Sequence, residues 1–231
     1  MSLFALADTH LSLGSDKPMD VFKGWDNYVE KIEKNWRRII SDTDDVVIPG
    51  DISWAMKLEE TKTDFEFLNS LPGRKILIKG NHDFWWSTRN KIDNFLKLNN
   101  FNTITILFND AVLCGNISVC GTRGWFNQSE KPEEDKKIML REKQRLETSI
   151  DAGLKLGGEP VVFLHYPPFD GESFGGPVYE TIVERKIKRC YFGHIHGDRT
   201  GRFDRVLSDG IQFSLVSCDH IGFCPVLIEK Y

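Results

Sequence analysis

Short apolar runs that end in polar clusters are the feature that most constrains how this chain can fold. Five such runs are too short for buried helices, and each ends in Gly, Pro or polar residues: 3–7, 46–49, 76–79, 161–165 and 190–193. Amphipathic stretches separate them, at the spacing of strand-helix-strand units. The pattern predicts an α/β fold in which these runs are buried strands.

Two of the amphipathic stretches predict helices. From Trp25 to Ile40, apolar residues recur three or four positions apart for most of the stretch, as one buried helix face requires. Pro132 is followed by three acidic residues, which is typical of a helix N-terminus, and a Gly-Gly pair at 157–158 ends this second stretch. Both helices are expected to pack against the sheet.

The β-like pieces elsewhere follow a different pattern. Turn signals at Asn109-Asp110 and Gly115-Asn116 interrupt residues 104–120, which predicts hairpins rather than helical crossovers. Two further β-like runs, 211–216 and 226–229, close the chain. The sheets are therefore expected to be mixed. Because no repeat or linker is visible, residues 1–231 are expected to form one domain.

Charge and cysteine content exclude several classes of protein. The chain has 30 Lys plus Arg against 34 Asp plus Glu, a net charge of −4, so it has no general basic field for long nucleic acids. No apolar run approaches the roughly 20 residues that span a bilayer, and the first residues lack a basic leader. Five scattered cysteines without a Cys-x-x-Cys pair fit a reducing compartment. We expect a cytoplasmic protein with no membrane partner.

Five of the six histidines lie in polar clusters after, or at the end of, the predicted strands. The clusters are Asp8-Thr9-His10, Gly50-Asp51, Gly80-Asn81-His82-Asp83, His165 and Gly193-His194-Ile195-His196. A single Asp after a strand is usually a helix cap, and a single His is usually structural. Because strand carboxyl ends converge on one crevice in an open α/β sheet, the joint occurrence of the clusters points to one site.

The clusters offer carboxylate, imidazole and carboxamide groups but no thiolate. This set suits manganese, iron or zinc more than a Cys-bound structural zinc. Seven candidates exceed the four ligands of one tetrahedral ion and would hold two ions if a carboxylate bridged them: Asp8, His10, Asp51, Asn81, His165, His194 and His196. Two divalent cations against two carboxylates leave a local charge of about +2, which attracts phosphate and predicts phosphoester hydrolysis.

The order of these motifs from Asp8 to His196 resembles the calcineurin-like metallophosphoesterase family. The resemblance implies a four-layer αββα sandwich of two mixed β-sheets flanked by helices, with a binuclear metal site above the sheet edges. It also implies how the ligands divide between two divalent ions: Asp8, His10 and His196 on the first, Asn81, His165 and His194 on the second, and Asp51 as the bridge.

The resemblance further implies a mechanism in which a metal-activated hydroxide attacks phosphorus in line while His82 donates a proton or a hydrogen bond to the leaving oxygen. Asn81 and His82 would then contact the phosphate. Asp-Thr-His-Leu at 8–11 and Gly-Asn-His-Asp at 80–83 look more like the bacterial phosphodiesterase-type branch. We expect a metal-dependent hydrolase, either a phosphodiesterase or a phosphatase, that acts on a small-molecule phosphoester.

One position departs from the family pattern. Many relatives carry Gly-Asp-x-x-Asp, whose last Asp orients the catalytic His, whereas Trp54 stands there in this chain. Asp83, or a carboxylate from elsewhere in the chain, is a candidate for orienting His82, and Asp83 could equally be a local backbone cap. Arg123, in a Gly-containing turn, is either a phosphate clamp or an ordinary surface arginine. His220 belongs to no motif and is expected to be structural.

Three other functions stay open: a protein Ser/Thr-type phosphatase, a nuclease of the same family, and a non-catalytic metal-binding interaction scaffold. Against the first, the arginines typical of the protein phosphatase branch are replaced, because Ala55 follows Trp54 and Lys79 precedes Gly80. Against the second, the chain is acidic and has no basic cluster for nucleic acid. Against the third, no ligand is missing, whereas members that lost catalysis usually lose ligands or the catalytic His.

Overall fold

The computed structural model describes residues 1–125, 132–170, 173–198 and 200–231. The described strands are β1 (Ser2–Ala5), β2 (Asp45–Pro49), β3 (Arg74–Ile78), β4 (Ile104–Ile106), β5 (Ala111–Cys114), β6 (Ile117–Thr122), β7 (Glu159–Leu164), β8 (Phe169–Asp170), β9 (Ser173–Phe174), β10 (Arg189–Phe192), β11 (Val206–Ser208), β12 (Ile211–Leu215) and β13 (Val226–Lys230). The helices are α1 (Tyr28–Ile39), α2 (Lys62–Ser70), α3 (Arg89–Leu98), α4 (Pro132–Leu156) and α5 (Gly176–Glu184). A short 3₁₀ helix, Leu58–Thr61, precedes α2. Among the described residues, no helix combines the length and the apolar character needed to cross a membrane.

Two mixed sheets form the centre of the fold, as predicted. The first sheet has the order β13-β1-β2-β3-β4, and only its edge strand β13 runs antiparallel to its neighbour. The second sheet has the order β11-β12-β10-β7-β6-β5, with four parallel strands and an antiparallel strand at each edge. Strands β8 and β9 form a separate two-stranded ribbon.

Alternation along the strands separates an inner core from an outer one. In β1, Leu3 and Ala5 point into the space between the sheets, where they share a cluster with Val161 and Phe163 of β7. Phe4 points the other way and packs in the cluster that covers the outer face of the first sheet. Because successive side chains of a strand point to opposite faces, one strand serves two cores.

Helices close the two outer faces. Ile32 and Trp36 of α1 are fully buried in the outer cluster of the first sheet, which also includes apolar side chains of α2 and α3. On the second sheet, Val162 of β7 packs with Leu146 of α4 and Ile182 of α5. The three cores confirm the four-layer αββα sandwich.

The hairpins predicted within residues 104–120 are right for one turn and wrong for the other. Strands β5 and β6 do form a hairpin, in which Cys114 pairs with Ile117. Strand β4, however, pairs in parallel with β3 in the first sheet, so the chain crosses between the sheets near Asn109. Asn109 has a φ of 59°, so the turn signal is real, but it marks a change of sheet.

Replacing Ile32 by Ala is expected to lower the free energy of unfolding by about 2–5 kcal/mol, because this fully buried side chain fills the core under α1. The matched control is Glu33→Ala on the exposed face of the same helix, which removes only an i,i+4 ion pair with Arg37. That change is expected to alter stability by less than about 0.5 kcal/mol. Chemical denaturation measures both variants, and equal effects would contradict the packing of α1.

Candidate metal centre

The seven predicted ligands lie together where strands of both sheets end. They follow five strands: Asp8 and His10 follow β1, Asp51 follows β2, Asn81 follows β3, His165 follows β7, and His194 and His196 follow β10. Within each sheet the strands that carry them are parallel, so their carboxyl ends meet at one edge. Residues that are distant in sequence but follow parallel strands are therefore close together in the fold.

One group consists of Asp8, His10 and His196, whose candidate ligand atoms all lie within 4.8 Å of one another. The Nε2 atoms of His10 and His196 are 3.2 Å apart, and Nε2 of His196 lies 3.8 Å from Oδ1 of Asp8. Two imidazole nitrogens and a carboxylate oxygen thus face a common point. This is a donor set that zinc, iron and manganese accept.

The second group consists of Asp51, His165 and His194, again with ligand atoms within 4.8 Å of one another. The amide oxygen of Asn81 adds a fourth donor. It lies 2.6 Å from Nε2 of His165 and 3.0 Å from Nδ1 of His194. The oxygen of Asn81 therefore faces the same point as the two imidazoles, as a ligand would.

Asp51 reaches both groups. Its Oδ2 lies 3.7 Å from Nε2 of His10, and its Oδ1 lies 3.5 Å from Nε2 of His165. The two oxygens of one carboxylate thus point to different halves of the centre. This is the geometry that a carboxylate bridging two cations needs.

The backbone turns sharply at four of these residues. Asp8, His10, Asp51 and His194 have φ values of 59°, 43°, 51° and 72°, in the left-handed region. Such a conformation costs a non-glycine residue about 1–3 kcal/mol, and it persists only where the surroundings fix it. Here the N–H of Asp8 donates to the carbonyl of Gly50 at 3.0 Å, and that of His10 donates to the carbonyl of Asp51 at 2.9 Å.

Glycines in two of the motifs allow the loops to approach closely. A Cβ on Gly50 would lie 2.5 Å from Nδ1 of His165, and a Cβ on Gly80 would collide with the backbone nitrogen of Asp51. Gly50 also has a φ of 89°, which side chains disfavour. These glycines are therefore needed for the loops after β2 and β3 to pack against each other.

Two residues that were not predicted from the sequence hold the ligands in place. Oδ1 of Asp219 lies 2.9 Å from Nδ1 of His196, and its Oδ2 accepts the N–H of Gly197 at 2.8 Å. Ser217 donates its hydroxyl to Oδ2 of Asp8 at 2.7 Å. An imidazole fixed at one nitrogen by a carboxylate presents its other nitrogen to a metal. Both residues follow β12, so a search for polar residues after each predicted strand would have identified them in the sequence.

His82 lies beside the centre, between aromatic rings. Its ring centroid is 4.5 Å from that of Trp54 and 5.8 Å from that of His10. Trp54 also stacks on His10, with the centroids 4.9 Å apart. Burial lowers the pKa of His82, and the nearby charges of His196 and Lys17 lower it further. Trp54, at the position where many relatives carry Asp, thus contacts His82 by ring packing.

Asp83, predicted to orient His82, instead acts as the backbone cap that was the alternative. Its fully buried carboxylate accepts hydrogen bonds from the N–H of Ile52 at 2.9 Å, the N–H of Gly80 at 2.7 Å and the indole of Trp85 at 3.0 Å. Its oxygens are therefore engaged in tying the loop after β2 to the loop after β3. Adjacent side chains diverge here because the loop turns between them.

Two further candidates do not line the cleft at the metal centre. Arg123, predicted as a phosphate clamp, does not line the cleft at the metal centre, whose volume is about 680 Å³. It lines a different cleft, together with Lys79 and Arg145. His220, expected to be structural, has a side chain that is 6% exposed, with its Nε2 2.8 Å from Oδ1 of Asp204.

Burial dominates the electrostatics of the centre. It raises the pKa values of Asp8 and Asp51 above the usual carboxyl range, and repulsion from Asp8 raises that of Asp51 further. It also lowers the pKa of His194 to about 4 and holds those of His10 and His165 well below their usual value. These shifts disfavour the charged forms of these five groups, which bound cations would offset for the two carboxylates. Burial also acts to lower the pKa of His196, but its hydrogen bond with Asp219 and the charge of Asp8 raise that pKa above its usual value.

Metal binding at pH 7 is expected to release protons from the two carboxyls and from His196, but not from the other imidazoles. The raised pKa values keep a proton on Asp51 and leave Asp8 and His196 partly protonated, whereas the lowered pKa values leave His10 and His165 neutral. Because cations displace those protons, metal affinity should fall as pH falls. Titration calorimetry of Mn²⁺ in buffers of different ionisation enthalpy counts the protons, and Asp51→Asn should release fewer. Binding without proton release would contradict this electrostatic description.

Comparisons with known proteins identify a family and a shared fold. The family model of calcineurin-like phosphoesterases matches residues 1–198. Protein TT1561 of Thermus thermophilus is similar in structure, with a TM-score of 0.59 and 14% identity over 98% of this chain and 97% of that one. A protein of unknown function from Aquifex aeolicus, AQ665, gives a TM-score of 0.53 and 17% identity over 98% and 95%. A phosphopantetheinyl hydrolase from Mycobacterium tuberculosis gives 0.50 and 14% over 94% and 88%.

No curated protein matches the sequence significantly. At these low identities the solved structures show a shared fold alone. The family model is more informative, because it covers every motif that supplies a candidate ligand. The chain therefore belongs to the calcineurin-like phosphoesterase family.

Proposed function

We propose that this protein hydrolyses small organic phosphodiesters with two divalent metal ions held by the seven clustered side chains. The observation that carries the proposal is the pair of ligand groups joined by Asp51, with His82 at their side. Carboxylate, amide and imidazole donors suit manganese, iron or zinc. When bound, such ions supply Lewis-acid activation of the phosphoryl group and of a water molecule.

His82 is the residue placed to assist the leaving group. Its lowered pKa keeps the imidazole neutral at pH 7, so one ring nitrogen carries a proton that can hydrogen-bond to the departing ester oxygen. Packing against Trp54 restricts the ring, which reduces the freedom lost when a substrate binds. Aromatic packing thus restricts the His82 ring at the position where many relatives use a carboxylate.

The charges around the cleft favour a diester over a monoester. Among the described residues, the cleft is lined by no arginine, and the lysines near it are Lys23 on its wall and Lys17 over the ring of Trp54. A monoester dianion carries more negative charge than a diester monoanion and gains more from a guanidinium fork. The few cationic side chains near the cleft therefore match the single negative charge of a diester better than the larger charge of a monoester.

The wall of the cleft favours an organic group next to the phosphate. It is apolar on one side, where it is built from Met19, Phe22, Trp25 and Trp54. Phe22 is 55% exposed, and the ring of Trp25 lies 5.6 Å from that of His196. Aromatic faces this close to the candidate ligands can stack on an aryl group or a nucleobase. A small molecule with a flat apolar portion is the substrate class we propose.

The rate ratio of bis(p-nitrophenyl) phosphate to p-nitrophenyl phosphate tests the proposal. Metal-stripped protein reconstituted with Mn²⁺ is expected to prefer the diester, since the cleft has few cations and a long apolar wall. A preference for the monoester would contradict a phosphodiesterase function and support a phosphatase function. Full metal occupancy without turnover of any phosphoester would overturn catalysis and favour an interaction scaffold.

Replacing His82 by Ala is expected to leave both metal ions bound and to lower kcat by roughly 100-fold or more, in line with general acid-base contributions. Metal content is measured by elemental analysis and kcat on the diester. The control is Arg185→Gln, which changes an arginine that is paired with Asp151 and belongs neither to the ligand groups nor to the lining of the cleft. An unchanged kcat in His82→Ala would remove the proposed role.

A further inference from the structure

A second cleft, here called the basic cleft, opens where β3 and β6 end. Its volume is about 400 Å³, and it is lined by three cationic side chains and by hydroxyl and amide groups: Lys79, Arg123, Arg145, Ser87, Thr88 and Asn109. The residues that line it are all different from those that line the cleft at the metal centre. It is therefore a separate feature of the same sheet edge.

Positive charge exceeds negative charge in the basic cleft. Glu142 of α4 is fully buried there, and one of its oxygens lies 2.6 Å from Nη1 of Arg145 and 3.8 Å from Nη2 of Arg123. Burial lowers the pKa of Lys79, and the charge of Arg123 lowers it further. The charge of Asp83 also acts on Lys79. Three cations against these two carboxylates still leave a surplus of positive charge within the described part of the chain.

The guanidinium of Arg123 lacks a hydrogen-bond acceptor among the described residues. Its side chain is 18% exposed, and its Nε is buried without a partner. It lies over the ring of Trp125, 4.8 Å from the centroid, while the 3.8 Å to Glu142 is too long for a hydrogen bond. A buried guanidinium with unused donors is costly, and an oxyanion in the cleft would use them.

We propose that the basic cleft binds a phosphate-type oxyanion between Arg123 and Lys79, with Arg145 kept in place by Glu142. The planar fork of Arg123 can hold two oxygens at once, while Lys79 acts as a point charge. The site uses none of the candidate metal ligands, so it does not rest on the proposed function. The oxyanion is either a second anionic group of the substrate or a free anion.

The backbone links the basic cleft to the metal centre. The carbonyl of Arg123 accepts the N–H of His165 at 3.1 Å and that of Tyr166 at 2.8 Å. The ring of Tyr166 in turn lies 4.3 Å from the ring of His194. An oxyanion that orders Arg123 therefore acts on the segment that positions two candidate ligands.

Calorimetric titration of inorganic phosphate into the full-length protein, with and without Mn²⁺, tests the site. One binding event should persist without Mn²⁺ and should weaken by about 10-fold or more in Arg123→Gln and in Lys79→Gln, because each variant loses a charge-assisted contact. The control is Arg185→Gln, which removes an arginine paired with Asp151 elsewhere. Thermal melting identifies a variant that fails to fold. If Arg123→Gln or Lys79→Gln fails to fold, phosphate binding by the other variant tests the site.

Equal phosphate binding in the wild type and the folded variants would overturn the site, as would binding that requires Mn²⁺. Because this readout needs no turnover, its failure is distinct from failure of the proposed function. Binding that is lost in both variants and retained in the control would support the site.

Turnover assays then distinguish the two sources of the oxyanion. If it belongs to the substrate, Arg123→Gln raises KM for an ester that carries a second phosphate but not for bis(p-nitrophenyl) phosphate. If it is a free anion, sulfate at constant ionic strength changes kcat for bis(p-nitrophenyl) phosphate in the wild type but not in Arg123→Gln. Absence of both effects would reduce the cleft to a charge cluster without a part in the reaction.

Discussion

The carboxylate of Asp51 faces both groups of candidate ligands, and the loops around it are arranged to make that possible. Its Oδ1 accepts the backbone N–H of His82 at 2.8 Å, and its oxygens face His10 on one side and His165 on the other. One side chain thus connects loops of the first sheet to a loop of the second. Because a buried carboxylate needs compensating charge, the order of this edge is linked to what binds there.

The central strands could be predicted from the sequence because burial on both faces leaves a direct trace, a short continuous apolar run. Which strands pair could not be predicted, since pairing depends on contacts distant in sequence. Strand β4 shows this, because three residues with two buried isoleucines fit a hairpin arm as well as a parallel edge. Helices α2, α3 and α5 are only nine or ten residues long and owe their stability to packing.

The sequence predicted that the candidate ligands lie close together, because each of them follows a predicted strand. It did not predict the direction in which each side chain points. Asp83 and His82 are neighbours in sequence, yet one carboxylate binds backbone N–H groups while the imidazole lies against Trp54. That difference depends on loop dihedral angles, to which residue type is a weak guide. The position of Arg123 depends on the space between β3 and β6, which local sequence does not encode.

The first sheet contains strands from both the beginning and the end of the chain, and this has a consequence for biosynthesis. The first sheet begins with β1 but receives its last strand, β13, only at residues 226–230, and the hydroxyl of Tyr231 lies 2.6 Å from Asp45. A ribosome must therefore release the chain as far as residue 230 before the first sheet is complete. Until then β1 has only β2 as a neighbour, and its other edge presents unpaired backbone groups that another extended chain could pair with.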